Sequence, residues 1–285
     1  MLRNTFQHIP GIGKKTEEDI WGAGVKCWDD INGDSPIKLP PKTISRIKQC
    51  VFDSKEHLNE HMDPVYFYNL MPSKLHWRLF PDFMDSAVYL DIETTGLDYD
   101  NSEITTIALY DGRTILHYTN GYNLDDFKKD IFKYKLIITY NGKSFDIPYI
   151  EKYFGIKIPH AHIDLRYILG GLGFRGGLKG CEKAFGIDRK ELDGVDGYFA
   201  VLLWNEYKRN NNAKALETLL AYNIEDVINL DYLMISAYNM MLEDTPFKHL
   251  ELETRPVTVN KPFNADMPTV QKLRNNAPQQ QRPWY

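Results

Sequence analysis

A short buried strand that carries two carboxylates is the feature of the sequence that most restricts how this chain can fold. Residues 87–90 are apolar, and Asp91, Ile92 and Glu93 follow them directly, before a Thr-Thr-Gly turn. Alternate residues of a strand share one face, so Asp91 and Glu93 are predicted to lie side by side at the end of this strand. Adjacent carboxylates repel each other unless a cation lies between them. The pair predicts a divalent-metal site or, if it stands alone, two solvated surface acids.

The pattern after this strand predicts a mixed α/β fold. Two alternating runs, residues 104–110 and 114–118, flank an Asp-Gly turn and predict a β-hairpin. A helix is predicted over residues 123–134, a buried fourth strand over residues 135–140, and a second helix from about Ser144. The order β-β-β-α-β-α resembles that of a ribonuclease H-like fold, in which helices flank three antiparallel strands and further parallel strands.

Two further candidate sites follow along the chain. Asn141 and Asp146 lie at the junction of the fourth strand with its helix, and ligand sites in α/β sheets gather at the carboxyl ends of strands. Tyr222 and Asp226 are four residues apart in a helix predicted over residues 213–241, so both lie on one face. Taken singly, each signal is better explained by a helix-start aspartate or a packed tyrosine. Together with the first pair, they predict one carboxylate centre.

The first segment of the chain has its own motif. Residues 7–31 are predicted to form two helices joined by a tight turn that contains Gly11 and Gly13, with Lys14 and Lys15 beside it. Backbone amides at the start of a helix bind phosphate, and lysines add charge. The segment resembles a helix-hairpin-helix motif, which binds the nucleic-acid backbone without reading bases. The alternative is an ordinary helical hairpin that packs on its neighbour.

Aromatic and polar stretches complete the domain prediction. The aromatic stretch before the first strand predicts either base stacking or packing of an N-terminal extension on the next domain. The C-terminal tail, rich in Pro, Asn and Gln, is predicted to be disordered or to bind a protein partner. The predicted units are a helix-hairpin-helix-like segment at 1–35, a connecting helical and aromatic region at 36–85, a ribonuclease H-like domain at 86–245 and the tail at 246–285.

Composition limits the class of protein. The 285 residues are 43% apolar and 26% charged, which is ordinary for a globular protein. No apolar run is long enough to cross a membrane, so we expect a cytoplasmic protein with no membrane partner. Cys27, Cys50 and Cys181 are odd in number and far apart, which argues against a disulfide framework or a structural zinc site. The formal net charge of -5 argues mildly against a surface that binds nucleic acid throughout.

The carboxylates and tyrosine together resemble the active-site motifs of the DEDD superfamily of 3′-to-5′ exonucleases, specifically its tyrosine branch. Asp91 and Glu93 match the first motif, Asp146 the second, and Tyr222 with Asp226 the third. The spacing is similar to that of the proofreading domains of family B DNA polymerases. The chain most resembles stand-alone YprB-like ribonuclease H-like proteins, in which a helix-hairpin-helix segment can precede the nuclease.

This resemblance implies a two-metal centre with Mg²⁺ or Mn²⁺ ions about 3.5–4 Å apart. By the family pattern, Asp91 bridges both ions, and Glu93 and Asp226 complete one site. Asp146 supports the other ion, mainly through water. Tyr222 orients the attacking hydroxide through its phenol, whose reference pKa near 10 makes it a poor base at neutral pH. All four carboxylates are thus predicted to be both metal ligands and catalytic residues.

The resemblance also implies residues that bind substrate. Leu97 wedges at the terminal base, Asn141 contacts the terminal nucleotide, and Thr94 and Thr95 belong to the seat of the 3′ end. Lys179 is a predicted phosphate contact in a glycine-rich part of the chain. We therefore expect an exonuclease that releases nucleoside monophosphates from a single-stranded 3′ end, with DNA slightly favoured over RNA. The alternatives are a structure-selective or RNA-processing nuclease and a catalytically silent nucleic-acid-binding scaffold.

Overall fold

A five-stranded mixed sheet forms the centre of the protein in the computed structural model, which describes residues 1–31, 39–189, 192, 195–254 and 259–276. The strand order is β3-β2-β1-β4-β5. The first three strands are antiparallel to each other, and β4 and β5 run parallel to β1, which confirms the predicted sheet. The strands are β1 (Ala87–Thr94), β2 (Ile104–Tyr110), β3 (Ile115–Thr119), β4 (Leu136–Thr139) and β5 (Ala161–Asp164).

Helices cover both faces of the sheet and build an N-terminal layer. Within the described residues, no helix is long and apolar enough to cross a membrane. The helices are α1 (Lys14–Gly22), α2 (Pro41–Asn59), α3 (Pro64–Leu70), α4 (Phe80–Phe83), α5 (Phe127–Asp130), α6 (Asp146–Phe154), α7 (Leu165–Gly171), α8 (Gly177–Ala184), α9 (Gly197–Asn210), α10 (Ala213–Leu242) and α11 (Met267–Asn276).

The alternation of β1 sorts its side chains between two apolar layers. Val88, Leu90 and Ile92 pack with the residues of α5 and α6. Ala87 and Tyr89 point to the opposite face, which α10 covers. Because Asp91 continues the series of Tyr89, the two carboxylates of β1 lie on the face of the long helix. The predicted side-by-side arrangement of the carboxylates is therefore correct, although both lie within the strand rather than beyond its end.

The first helix of the predicted N-terminal hairpin is not formed, so that prediction is wrong. Residues 7–11 form successive turns, and only the second helix, α1, is present. The cause is Glu17, which is buried and accepts hydrogen bonds from the backbone amides of Phe6 at 2.7 Å and Gln7 at 3.3 Å. Pro10 also lacks the amide hydrogen that a helix would need there.

A buried ion pair joins this N-terminal segment to the connecting region. Arg78 Nη1 lies 2.9 Å from Glu17 Oε1, and its guanidinium stacks near the rings of Trp21 and Trp77. Trp77 also packs edge-on against Tyr238 of α10 at a centroid distance of 5.6 Å. The aromatic stretch before β1 therefore packs the N-terminal layer onto the sheet domain, as one of the two alternatives predicted.

The helix expected over residues 123–134 is present over residues 124–133, with the turn of α5 between two 3-10 turns. The prediction for the C-terminal tail needs correction. The tail expected to be disordered contains α11, whose Val270 is fully buried in a cluster with residues of α9 and α10. Residues 255–258 and 277–285 of that predicted tail lie outside the described residues.

Candidate active site

The site lies where β1 continues past the end of its parallel neighbour β4. The two strands pair only from Ala87 to Tyr89, because β4 ends at Thr139 and its chain turns into the loop before α6. Beyond Tyr89, on the side of β1 that faces away from β2, Asp146 takes the place of β4: this first residue of α6 accepts the Ile92 amide hydrogen through Oδ1 at 3.2 Å. The end of β4 thus brings Asp146 to the first carboxylate motif, as the sequence predicted.

Helix α10 supplies the rest of the acidic cluster. Asp226 is buried on the face of α10 that lies over β1, and Tyr222 lies one turn before it. One carboxylate oxygen each from Asp91, Glu93 and Asp226 lie within 4.8 Å of one another. Asn223 Nδ2 donates to Asp91 Oδ2 at 2.7 Å, which ties the helix directly to the strand.

The acids of this cluster have raised pKa values because the fold holds them close together in spite of their mutual repulsion. Burial, followed by the charges of Asp226 and Asp146, raises the pKa of Asp91 well above its ordinary value. Burial and then Asp226 likewise raise the pKa of Glu93 well above its usual range. Burial raises the pKa of Asp146 to about 7, although the Ile92 amide partly opposes that shift. Such shifts mark sites that favour bound positive charge.

The donor set fits a hard divalent cation. It consists of carboxylate oxygens from two well-separated parts of the chain, β1 and α10, and oxygen ligands are the type that Mg²⁺ and Mn²⁺ prefer. Of the predicted ligands, Asp91, Glu93 and Asp226 converge directly, and Asp146 is tied to the same strand through Ile92. The arrangement is therefore a candidate metal centre. Its carboxylate ligands restrict the bound ion to the class of ions that bind oxygen.

Two cations lie at the rim of the acidic cluster. Lys179 Nζ lies 5.2 Å from the ring centroid of Tyr222, and the guanidinium carbon of Arg189 lies 5.4 Å from it. Burial lowers the pKa of Lys179, while the charges of Asp226 and Glu93 oppose that effect. The Lys179 ammonium is buried and has no hydrogen-bond partner among the described residues. It is thus a free donor beside the carboxylates.

Arg189 is a site residue that the sequence did not reveal. Its Nε and Nη2 each lie 2.6 Å from an oxygen of Glu182, and Nη2 also donates to Asp226 Oδ1. Burial lowers the pKa of Arg189, but Asp226 and Glu182 outweigh this effect and raise it above its ordinary value. Asn223 was missed as well. Arg189 and Asn223 lie at no characteristic distance in the sequence from the acids that they bind, so no motif indicates them.

The residues predicted to bind the terminal nucleotide lie at the end of β1 and in the loops that follow β1 and β4. Leu97 is 55% exposed in the loop after β1, so its side chain is free to contact a ligand. Thr94 is buried and donates to Gly96 O at 2.7 Å, and Thr95 Oγ1 accepts the Glu103 amide hydrogen at 2.9 Å. The two threonines therefore shape the loop that presents Leu97.

Asn141 occupies the loop between β4 and α6 in a left-handed conformation with φ of 69°. Its backbone amide donates to Asp164 Oδ1 at 2.8 Å, and its side-chain oxygen accepts a hydrogen bond from Arg166. The neighbouring Gly142 approaches the side chain of Thr139 so closely that an added Cβ would overlap it. The loop that ends at Asp146 is consequently compact and fixed on both sides.

The predicted phosphate-binding turn lies away from this cluster. Gly13 is the N-cap of α1 without a side-chain hydrogen bond, Gly11 has φ of 85°, and Lys14 and Lys15 are exposed. Trp21 of the same helix packs on Phe247, beyond the end of α10. The end of α10 is sixteen residues from Asp226, or about 24 Å at the rise of an α-helix. The structure therefore does not bring this turn into the acidic site.

A mixed sheet in this order, with carboxylates on its central strand and on a helix packed over it, defines a ribonuclease H-like protein. The sequence matches the family model of the RNase_H superfamily over residues 88–238, more than half of the chain. The chain belongs to the RNase H superfamily.

Other comparisons add little beyond that assignment. No curated protein sequence matches the chain. Among solved structures, the family B DNA polymerase from the hyperthermophilic archaeon Pyrobaculum calidifontis is similar to 57% of this chain, with a TM-score of 0.42 and 18% sequence identity. The chain spans about a quarter of that polymerase, 26% of its length.

Proposed function

We propose that the protein is a metal-dependent 3′-to-5′ exonuclease of the tyrosine branch of the DEDD superfamily, close to the YprB-like proteins. The observation that carries the proposal is the convergence of Asp91, Glu93 and Asp226 within 4.8 Å, with Asp146 bound to the same strand and Tyr222 one turn from Asp226. Membership of the RNase H superfamily supports a phosphodiester substrate. Nucleic acid is the expected partner.

The carboxylates supply the metal ligands of the reaction. Asp91, Glu93 and Asp226 would hold one divalent ion, and Asp146 with Asp91 would hold a second. A pair of such ions, Mg²⁺ or Mn²⁺, acidifies the attacking water and stabilises charge on the phosphate oxygens. The raised pKa values of Asp91 and Glu93 mean that the metal-free site binds protons readily, so the ions must compete with protons for the same oxygens.

Two residues complete the chemistry around the scissile phosphate. Burial raises the pKa of Tyr222 well above that of a free phenol, so its hydroxyl keeps its proton and acts by orienting the attacking water. Lys179 is a buried cation beside Glu93 and Asp226 whose ammonium has no hydrogen-bond partner in the described part of the chain, and we assign it to a non-bridging phosphate oxygen. Leu97 would contact the terminal base and Asn141 the terminal nucleotide, with Thr94 and Thr95 shaping the seat of the 3′ end.

End-labelled oligonucleotides test this function. A single strand labelled at its 5′ end should give a descending ladder with Mn²⁺, and the same strand labelled at its 3′ end should release labelled mononucleotide from the first turnover. A covalently closed circle of the same sequence should remain intact. Parallel DNA and RNA strands decide the polymer, because the carboxylate motifs favour neither.

Matched variants separate the site from the fold. Asp91→Asn and Asp226→Asn should abolish the ladder, whereas Asp125→Asn, at an exposed acid paired only with Lys128 in the described residues, should leave it unchanged. Cutting of the circle would replace the exonuclease with an endonuclease. Tight binding of both polymers without any cleavage would replace it with a catalytically silent scaffold.

The N-terminal turn is a second, separate part of the proposal. We assign Gly11, Gly13, Lys14 and Lys15 to the nucleic-acid backbone at a distance from the cut. The double variant Lys14→Gln/Lys15→Gln should weaken binding of a long strand and lower its salt slope by about one to two. Binding of a strand too short to reach the turn should not change. An unchanged salt slope for the long strand contradicts the assignment.

A further inference from the structure

Arg189 is a buried cation whose Nε and Nη2 both bind carboxylates. Its Nε and Nη2 grip the two oxygens of Glu182 at 2.6 Å each, and the second proton of Nη2 reaches Asp226 Oδ1. All three side chains are nearly inaccessible to solvent. A guanidinium held in this two-pronged way has a fixed direction, which an ammonium group cannot have.

The partner of Arg189 is itself fixed by the helix that carries the site. Asn229 Nδ2 donates to Glu182 Oε1 at 2.9 Å, and Asn229 lies three residues after Asp226 on α10. Residues three apart share one face of a helix. The chain of contacts therefore leaves α10 at Asn229, passes through Glu182 and Arg189, and returns to α10 at Asp226.

Three acids of the site each have one carboxylate oxygen held by an N–H donor. Asp91 has one oxygen held by Asn223, Asp146 has one held by the Ile92 amide, and Asp226 has one held by an arginine. In each case an N–H donor occupies a single oxygen of the carboxylate. For Asp91 and Asp226, which converge with Glu93, a second oxygen remains for a metal ion, and its direction is set by the held one.

We infer that Arg189 is a positioning residue that, anchored through Glu182 and Asn229, fixes Asp226 as a single-oxygen ligand of the metal centre. The inference rests on the proposed function for the presence of the ion, but it concerns metal affinity and not the polymer cleaved. Arg189 acts through Asp226, and no contact of its own with the substrate is required.

If Arg189 only neutralised Asp226, the loss of Arg189 would change the metal affinity in the opposite direction. An arginine that merely neutralised Asp226 would repel an incoming divalent cation, because like charges at short range oppose each other. Its loss would then tighten metal binding. Loss of a residue that orients a ligand typically weakens metal binding by about 10–100-fold. Arg189→Lys separates the two roles, because it keeps the positive charge and removes the two-pronged geometry.

Calorimetric titration of Mn²⁺ into the protein without nucleic acid tests the inference. Arg189→Lys should raise the Kd for Mn²⁺ about 10–100-fold. Asn229→Ala keeps the arginine but releases Glu182, and it should raise the Kd in the same direction by a smaller factor. Arg209→Lys, the same change at an exposed position of α9, should leave the Kd unchanged. Melting of each metal-free variant checks that it is folded.

The outcomes are distinct from those for the exonuclease itself. An unchanged or lower Kd in both Arg189→Lys and Asn229→Ala overturns the inference. So does a cleavage rate of Arg189→Lys that stays low at saturating Mn²⁺, because a positioning defect should be recovered by excess ion. If the wild type binds Mn²⁺ but produces no ladder, the exonuclease proposal fails while the Kd values still decide the role of Arg189. A wild type that binds no Mn²⁺ overturns both.

Discussion

Glu93→Gln should make the metal-free protein more stable while it abolishes nuclease activity. Glu93 is buried, and one of its oxygens lies within 4.8 Å of oxygens of both Asp91 and Asp226. Burial and the charge of Asp226 raise the pKa of Glu93, which means that its ionised form is unfavourable in the fold. Glutamine keeps the size of the side chain and removes the charge.

The magnitude follows from the spacing of the acids. Two like charges 4.8 Å apart repel by about 3 kcal/mol at an effective dielectric constant of about 20. The wild type relieves part of this repulsion by taking up protons, so we expect a net gain of about 2 kcal/mol at pH 8. For a chain of 285 residues the gain corresponds to a rise of roughly 3 °C in the melting temperature.

The assay is thermal melting at pH 8 in EDTA and again in Mn²⁺. In EDTA, Glu93→Gln should melt above the wild type. The control Glu251→Gln, at an exposed position, should melt at the same temperature as the wild type. In Mn²⁺ at about 100 times its Kd, the wild type should gain about 2.7 kcal/mol and the variant much less, so the order reverses. The reasoning is refuted if Glu93→Gln melts below the wild type in EDTA, or if Mn²⁺ stabilises both proteins equally.

Three further predictions concern groups outside the acidic cluster. Burial lowers the pKa of His8 to about 3, below the unfolded value near 6.5. Its stabilisation is therefore complete above pH 6.5 and lost as the pH falls toward 3, and wild type compared with His8→Asn in urea should show about 2 kcal/mol of it lost at pH 5. Arg78→Met leaves the carboxylate of Glu17 unpaired and should cost about 3–5 kcal/mol in urea unfolding. The double variant with Glu17→Gln, which removes the buried charge but keeps an oxygen for the Phe6 and Gln7 amides, should recover part of that loss, and an equal loss in both contradicts the pairing. Gly142→Ala should destabilise by about 1–3 kcal/mol and slow cleavage, because its Cβ overlaps a neighbouring side chain, whereas Gly171→Ala, with open space around it, should do neither.

Periodicity was sufficient to predict which face the residues of the acidic cluster occupy. The two-residue period of β1 placed Asp91 and Glu93 side by side, and the helical period placed Tyr222 and Asp226 on one face. The order of strands and helices was sufficient to predict the mixed sheet. Side-chain direction is set by local backbone geometry, so these features can be read before the chain is folded. Asp146 was placed by the rule that sites lie at strand ends.

Patterns failed where a polar group had a choice of distant partners. Glu17 has the position of a surface acid on α1, yet it is buried, binds the amides before it and so replaces the expected hairpin helix with turns. In the tail, Val270 became a core residue only because α9 and α10 leave a surface for α11 to cover.

The sequence by itself determined which side chains face the sheet centre and that four of them are carboxylates. The tertiary structure alone decided how those acids are held: Asn223 meets Asp91 across 132 residues, and Arg189 meets Asp226 across 37. Neither contact has a period or a fixed spacing, because the partner of a buried polar group is chosen by the packing of whole elements. Local geometry therefore fixes the composition of the site, and packing fixes its electrostatics.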